Sequence, residues 1–156
     1  MSIAGDWFNE LGSMVTFIPD PQDPREIGGK YHTNVGQAQQ KTYPLVGRCD
    51  NAGLPDQVVS WVVVWDPPDP VPQGQPPRKP SITAWAGQYH VVLGVEFITT
   101  TWLLARVTDA ADDWESTIVS MDFFFRIRPT AQMLKLAKQF GKVASHVSAP
   151  VVEPKE

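Results

Sequence analysis

Apolar and polar residues alternate in short segments along much of the chain, and turn-forming residues separate these segments. In one segment Trp61 and Trp65 fall on the same side, because successive side chains of a β-strand point to opposite faces. In another segment Ser81, Thr83 and Trp85 share a face. Short alternating segments at regular intervals predict an all-β sandwich or barrel.

The pattern predicts eight strands, with ends placed to within about two to four residues. Eight strands joined by consecutive hairpins close into an antiparallel up-and-down barrel that is wide enough for one small ligand. The predicted strands are Gly5–Asn9, Met14–Ile18, Gly28–His32, Lys41–Cys49, Val58–Trp65, Ser81–Val91, Val95–Val107 and Ser116–Arg128.

A proline-rich segment, Asp66–Pro80, interrupts this rhythm. Proline lacks the amide donor that a central strand needs, so the segment is predicted to be a stiff surface loop. Two interpretations remain open: a solvated connector, or a lid over the barrel mouth, because the segment leads directly into Ser81.

The chain after Pro129 has a helical pattern, with Met133, Leu136, Ala137 and Phe140 on one face. We predict a short helix that starts near Pro129-Thr130 and packs on the barrel or on a partner subunit. The last residues have the composition of a flexible tail. The predicted organisation is therefore a barrel over residues 1–129 and a helix with a tail over residues 130–156.

Composition narrows the functional classes. Hydrophobic residues make up 42% and charged residues 19% of the 156 residues, which indicates a globular protein. The net charge of −4 and the lack of a basic stripe argue against a nucleic-acid partner, and the apolar runs are too short to cross a bilayer. Cys49 is the single cysteine, so no internal disulfide can form. His32, His90 and His146 lack metal-ligand spacing, so we expect no metal site.

The chain has six tryptophans, which is many for its length. Trp7 and Trp61 are interpreted as core residues, because aromatic burial alone explains them. Asp122 precedes three phenylalanines in an apolar strand, where a carboxylate needs a hydrogen-bond partner such as Asn9, or a ligand. Aromatic walls with a few polar groups are typical of a small-molecule pocket.

The order of these residues resembles the avidin and streptavidin family of biotin-binding proteins over roughly residues 5–128. The resemblance implies an eight-stranded barrel that binds biotin at its mouth with high affinity, without catalysis and without a cofactor. The segments that carry it are Gly5-Asp6-Trp7-Phe8-Asn9-Glu10-Leu11-Gly12-Ser13, Ser81-Ile82-Thr83-Ala84-Trp85, Trp102-Leu103-Leu104, Trp114-Glu115-Ser116-Thr117 and Asp122.

The resemblance also implies a role for each matching position. Asn9, Ser13 and Tyr31 would donate hydrogen bonds to the ureido oxygen of biotin. Thr33 and Asp122 would accept from its two N–H groups. The remaining roles are contact with the thioether by Thr83, binding of the tail carboxylate by Ser81 with groups around Gln37, and pocket walls formed by Trp65, Trp85 and Trp102.

Trp114 would reach the site of a neighbouring subunit, as its equivalent does in tetrameric relatives, so the resemblance implies a homo-oligomer, most simply a tetramer. It also implies a secreted or periplasmic protein. No secretory signal precedes the first strand, so we expect a cytoplasmic protein or a chain that begins at its mature end. Three positions depart from the family pattern: Gln37 is longer than the usual amide, Thr33 replaces a serine, and Met121 replaces a polar interface residue found in some relatives.

Three other hypotheses remain open. A lipocalin-like carrier would use the same barrel for another apolar ligand, but it has no need for four polar groups such as Asn9 and Asp122 at the end of its barrel. A hydrolase could use Asp122, or a triad of Ser13, Asp122 and His32, although no paired acid or base supports it. Finally, residues 130–156 could drive assembly or enter the mouth of a neighbouring subunit.

Overall fold

The computed structural model describes residues 3–35, 41–50, 57–66 and 79–144, with side chains described up to residue 139. These residues form eight strands, a short 3₁₀ helix over Ala110–Glu115 and an α-helix, α1, over Ala131–Ala144. The strands are β1 (Gly5–Asn9), β2 (Met14–Pro19), β3 (Glu26–Thr33), β4 (Lys41–Cys49), β5 (Val58–Trp65), β6 (Ser81–Val92), β7 (Val95–Arg106) and β8 (Thr117–Phe125).

The strands form a closed antiparallel barrel, in which each strand pairs with the next and β1 pairs with β8. The predicted up-and-down barrel with a C-terminal helix is therefore confirmed. The largest shift in a strand end is in β8, which ends at Phe125 and not at Arg128, because the chain bends there before α1 begins. Most of the predicted proline-rich loop, residues 67–78, and the predicted tail after residue 144 lie outside the described residues.

Alternating side chains fill the barrel interior with aromatic and branched residues. Trp61 and Val63 of β5 are buried, whereas Val58 of the same strand is half exposed. The Trp61 ring stacks on Trp85 of the neighbouring strand, with ring centroids 5.5 Å apart. Trp7 is fully buried. The interpretation of Trp7 and Trp61 as core residues is confirmed.

One end of the barrel, which we call the closed end, is sealed around Trp7. The guanidinium of Arg126 lies 3.8 Å from the Trp7 ring centroid and pairs with Glu96 at 2.9 Å. The Trp7 indole N–H donates to the carbonyl of Ile3 at 2.7 Å. The cation–π contact and the ion pair together hold the Arg126 guanidinium across this end of the barrel. We call the opposite end, where β1, β3 and β5 finish and β6 begins, the mouth.

Helix α1 packs on the outside of the barrel. Packing on the barrel was one of the two predicted alternatives, and packing on a partner subunit was the other. The helix begins after Thr130, whose hydroxyl accepts a hydrogen bond from the amide of Met133 at 3.3 Å. Met133, Leu134 and Ala137 form the packed face. Leu134 was not on the predicted face, and the side chain of Phe140, which was, lies outside the described residues. The barrel residues beneath the helix are Phe97, Phe123 and Phe125.

Close strand packing at Gly47 leads to a stability prediction. A Cβ on Gly47 would lie 2.8 Å from the Cβ of Trp61 on the paired strand, with backbone beside it. We expect Gly47→Ala to lower the free energy of unfolding by roughly 1–3 kcal/mol, because the core would have to shift. The measurement is urea unfolding of the variant and the wild-type protein.

Gly28→Ala is the matched control, since a Cβ there would meet nothing nearer than a carbonyl oxygen 4.0 Å away. Its free energy of unfolding should stay within about 0.5 kcal/mol of wild type. Equal stability of the two alanine variants would contradict the packing argument.

Candidate functional site

Most of the predicted ligand residues lie at or near the mouth. Asn9 ends β1, Thr33 ends β3, Trp65 ends β5 and Ser81 opens β6. Because neighbouring strands run antiparallel, these strand ends meet at the same end of the barrel. Ser13 follows the turn between β1 and β2, so it lies at this end as well.

The buried polar residues are concentrated among the predicted ligand residues. Five of the seven in the described chain are Asn9, Ser13, Thr33, Thr83 and Asp122, and the other two are Gln57 and Thr100. A buried polar group costs free energy unless it is hydrogen-bonded. The partners of each group therefore determine what remains available to a ligand.

Asn9 and Ser13 are fixed by the turn between β1 and β2. The side-chain carbonyl of Asn9 accepts from the amides of Leu11 at 3.1 Å and Ser13 at 2.8 Å. The Ser13 hydroxyl oxygen accepts from the amide of Asn34 at 3.0 Å. With its carbonyl occupied, Asn9 has its NH₂ group left as a donor, and the Ser13 hydroxyl keeps its proton to donate.

Tyr31 completes this group of donors. Its side chain is buried beside the Ser13 hydroxyl, to which it is hydrogen-bonded. Burial, together with the nearby charge of Asp122, raises the pKa of the Tyr31 hydroxyl far above its ordinary value. The hydroxyl therefore keeps its proton at every physiological pH and can act as a donor.

Asp122 faces these donors from β8. Its Oδ2 atom accepts from the indole N–H of Trp85 at 3.1 Å, and the side chain of Asn9 is also hydrogen-bonded to the carboxyl group. Burial raises the pKa of Asp122, while the hydrogen bonds from Trp85 and Asn9 and the nearby N–H of Trp102 oppose that shift. The Trp102 N–H lies near enough to favour the charged form of this carboxylate. It forms no hydrogen bond of good geometry within the described residues. It remains an unused donor at the pocket wall.

Aromatic rings enclose the polar group. Tyr31 stacks on Trp85 at 5.0 Å between centroids, and Trp65 meets Tyr31 edge to face at 5.5 Å. Trp65 and Trp102 are only partly buried, which leaves part of each ring open toward the mouth. Tyr43 was not predicted as a site residue from the sequence. Its ring centroid lies 5.0 Å from that of Trp65. The alternation of Tyr43 and Leu45 in β4 was the signal that could have found it.

The two threonine hydroxyls have different partners. The Thr83 oxygen accepts from the Trp65 indole N–H at 2.7 Å, so its proton is free to donate into the pocket. Thr33 donates to the carbonyl of Val35 at 3.0 Å and accepts from the Val35 amide at 3.3 Å. Its proton is used within its own loop, so toward a ligand Thr33 can act only as an acceptor.

Two predicted residues are not brought into this group. Trp114 lies on the 3₁₀ helix with 78% of its surface exposed, so it contributes nothing to the site of its own chain. Ser81 is half-buried at the rim and pairs in register with Trp65. Gln37 lies outside the described residues.

The arrangement does not favour the alternative chemistries. The His32 ring bonds to the Thr42 hydroxyl at 3.1 Å on an exposed part of the barrel, so it is not between Ser13 and Asp122 as a triad would require. No group of potential metal ligands occurs among the described residues. Within the described part of the chain, no helix is long and apolar enough to cross a membrane. What the mouth offers is a set of fixed donors and acceptors between aromatic rings.

The chain is similar to known proteins over most of its length. A family model described as the Avidin family matches residues 1–127. Avidin from Gallus gallus is 31% identical over 132 residues, which cover 81% of this chain and 79% of that protein. Avidin-related protein 6 from Gallus gallus is 30% identical over 131 residues, with the same coverage of each chain.

The raised pKa of Asp122 predicts how stability depends on pH without ligand. The folded protein holds this proton to a higher pH than the unfolded chain, whose carboxyl titrates near 3.8. The stability that Asp122 contributes is therefore complete below 3.8 and is lost as the pH rises through the raised folded-state pKa. Asp122→Asn cannot titrate, but it can still accept from Trp85.

The free energy of unfolding of Asp122→Asn, relative to wild type, should therefore increase as the pH rises across this window. Urea unfolding of both proteins between about pH 3 and about pH 7 measures the difference. A difference that stays constant or decreases with pH would mean that burial does not control this carboxyl.

Proposed function

The chain belongs to the avidin family, and we propose that it binds biotin, without catalysing a reaction, in the polar group at the barrel mouth. Members of this family are non-catalytic binders that take biotin as a ligand and not as a cofactor. The observation that carries the proposal for this chain is the set of three donors, on Asn9, Ser13 and Tyr31, that face the buried carboxyl of Asp122.

The polar head of biotin matches this arrangement. Its ureido oxygen accepts hydrogen bonds, and Asn9, Ser13 and Tyr31 have donors that can turn to it once the hydrogen bond between Ser13 and Tyr31 gives way to the ligand. Its two ureido N–H groups donate, and the oxygens of Thr33 and Asp122 accept. Opposed donors and acceptors polarise the ureido group, and this effect is stronger where water is excluded.

The rest of the ligand would lie along the pocket wall. The proton of the Thr83 hydroxyl is available for the thioether, and the half-open rings of Trp65 and Trp102 would cover the apolar bicycle. Ser81 at the rim, with Gln37, would bind the tail carboxylate. The length of the Gln37 amide would make the tail the part of the ligand that is bound differently from the family pattern.

High affinity would follow from preorganisation. Asn9, Ser13 and Thr83 are held by hydrogen bonds from Leu11, Asn34 and Trp65, which belong to the protein itself. Little side-chain entropy therefore remains to be lost when biotin binds, and most of the contact energy appears as affinity.

We further propose that Trp114 closes the site of a neighbouring subunit in a homotetramer. A tryptophan that is 78% exposed on its own chain is a large apolar surface with no partner among the described residues. The outer face of the barrel also supports assembly. Five residues that pair across β4, β5, β6, β7 and β8 have small or apolar side chains, which suit a contact with another subunit. These residues are Val46, Val62, Ala84, Leu103 and Val119.

A lipocalin-like carrier of another apolar ligand is not favoured. Such a ligand would bury Asn9, Ser13 and Asp122 without using their hydrogen-bonding groups, at a cost of roughly 1–3 kcal/mol for each. We also propose, from the family, that the protein acts outside the cytoplasm, either secreted or periplasmic.

Calorimetric titration with biotin tests the central proposal. We expect one biotin per chain and slow release. Tyr31→Phe removes one donor to the ureido oxygen and should weaken binding roughly ten- to a hundredfold. Tyr89→Phe is the matched control, because Tyr89 packs against Trp7 toward the closed end, so its affinity for biotin should be that of wild type. Absence of binding by the wild-type protein, or equal loss in both variants, would refute the assigned site.

Trp114→Lys tests the shared site. We expect biotin release faster by on the order of tenfold or more, and a smaller assembly, because a buried interface aromatic would be lost. Stopped-flow release of labelled biotin and analytical ultracentrifugation measure the two effects. Leu93→Lys changes another exposed apolar residue, at the turn between β6 and β7, and should alter neither. Unchanged release in Trp114→Lys would exclude the role across subunits.

A further inference from the structure

The barrel closes through its shortest strand pairing. β1 and β8 share two register pairs, Phe8 with Phe125 and Asn9 with Phe124, whereas β7 and β8 share nine. The proposed ligand residues Asn9 and Asp122 lie on opposite sides of this seam. Their relative position therefore depends on a junction with little regular pairing of its own.

Glu10 extends the junction by a side-chain contact. It follows the last residue of β1, and its Oε2 atom accepts from the backbone amide of Phe123 at 3.1 Å. Phe123 lies between Asp122 and Phe124 in β8, so the contact holds β8 to β1 next to the ligand carboxyl. The regular pairing of β1 with β8 ends at Asn9, and the side chain of Glu10 adds one more hydrogen bond between the two segments.

Placing the Glu10 carboxyl here is unfavourable by itself. Its desolvation raises its pKa, and the nearby charge of Asp122 adds to the rise. The backbone amides of Glu10 and Phe123 and the charge of Lys138 act in the opposite direction. A half-buried carboxyl beside a second acidic group is retained at a cost in stability, which points to a role in holding this segment.

Helix α1 secures the same junction from outside. Phe123 and Phe125 alternate with the inward-facing Asp122 and Phe124, and they are buried beneath the helix together with the fully buried Ala137. Lys138, next to Ala137, provides the positive charge nearest to Glu10 on this helix. The hydrogen bond from Phe123 and the helix therefore act on one short segment, Asp122–Phe125.

We propose that Glu10 is a positioning residue for the ligand site, which holds the Asp122 segment of β8 against β1, with α1 as its outer support. This proposal rests on the proposed function, because it concerns how the ligand carboxyl is oriented. In this proposal Glu10 does not contact the ligand. Its effect on binding passes through Asp122.

Release of labelled biotin from full-length variants tests the proposal. Glu10→Ala should release biotin about tenfold faster, because the Phe123 amide loses its acceptor. Glu10→Gln should stay within about twofold of wild type, because an amide oxygen accepts the same hydrogen bond. Glu26→Ala is the matched control: Glu26 forms a surface ion pair with Arg48, at the closed-end start of β3, and its loss should not change release.

A double-mutant cycle separates positioning from general stability. In an Asp122→Ala background, Glu10→Ala should add little to the release rate, because the residue through which it acts is gone. The full effect of Glu10→Ala in that background would overturn the proposal, as would wild-type release in Glu10→Ala alone. Failure of the wild-type protein to retain biotin would instead refute the proposed function, and this assignment with it.

A second pair of variants decides the matter if Glu10→Ala does not fold. Lys138→Glu and Lys135→Glu reverse charges at two exposed positions of α1, and of these two lysines it is Lys138 whose charge lowers the pKa of Glu10. Release about two- to threefold faster in Lys138→Glu than in Lys135→Glu would support the proposal. Equal release from the two would overturn it.

Discussion

The structure depends on one constraint: a carboxyl group, Asp122, is held inside an aromatic barrel. A charge in that environment is tolerated only with hydrogen-bond partners, and the structure provides them from Trp85 and Asn9. Those partners have fixed orientations in turn, Trp85 by stacking against Tyr31 and Trp61, and Asn9 by the amides of Leu11 and Ser13. The requirements of one buried group therefore organise the whole mouth.

The same constraint explains why the two ends of the barrel differ. At the closed end, Arg126 covers Trp7 and pairs with Glu96, so these two charges neutralise each other. At the mouth, the described residues leave donors on Tyr31, Trp102 and Thr83 without a full set of partners. At the mouth these donors lie beside the partly open rings of Trp65 and Trp102, and this combination suits a ligand with a polar head and an apolar body.

The fold was predictable because strand alternation is a local property. The segments around Trp61 and Trp85 show which side chains point inward, and eight such segments leave few ways to close a sheet. The burial of Asp122 was also predictable, because this residue directly precedes three phenylalanines in an apolar strand. The role of Glu10 did not, because its contact with Phe123 joins positions 113 residues apart, and no local pattern reports it. Tyr43 was overlooked for a simpler reason, since one tyrosine in an alternating strand resembles any core residue.

The proposed function requires that the opposed donors and acceptors at the mouth bind the ureido group of biotin. A crystal structure of the protein with biotin tests it most directly. We expect the ureido oxygen within about 2.7–3.2 Å of the side-chain donors of Asn9, Ser13 and Tyr31, with a ureido N–H directed at Asp122. Biotin bound elsewhere, or with its tail carboxylate in the place of the ureido oxygen, would contradict it.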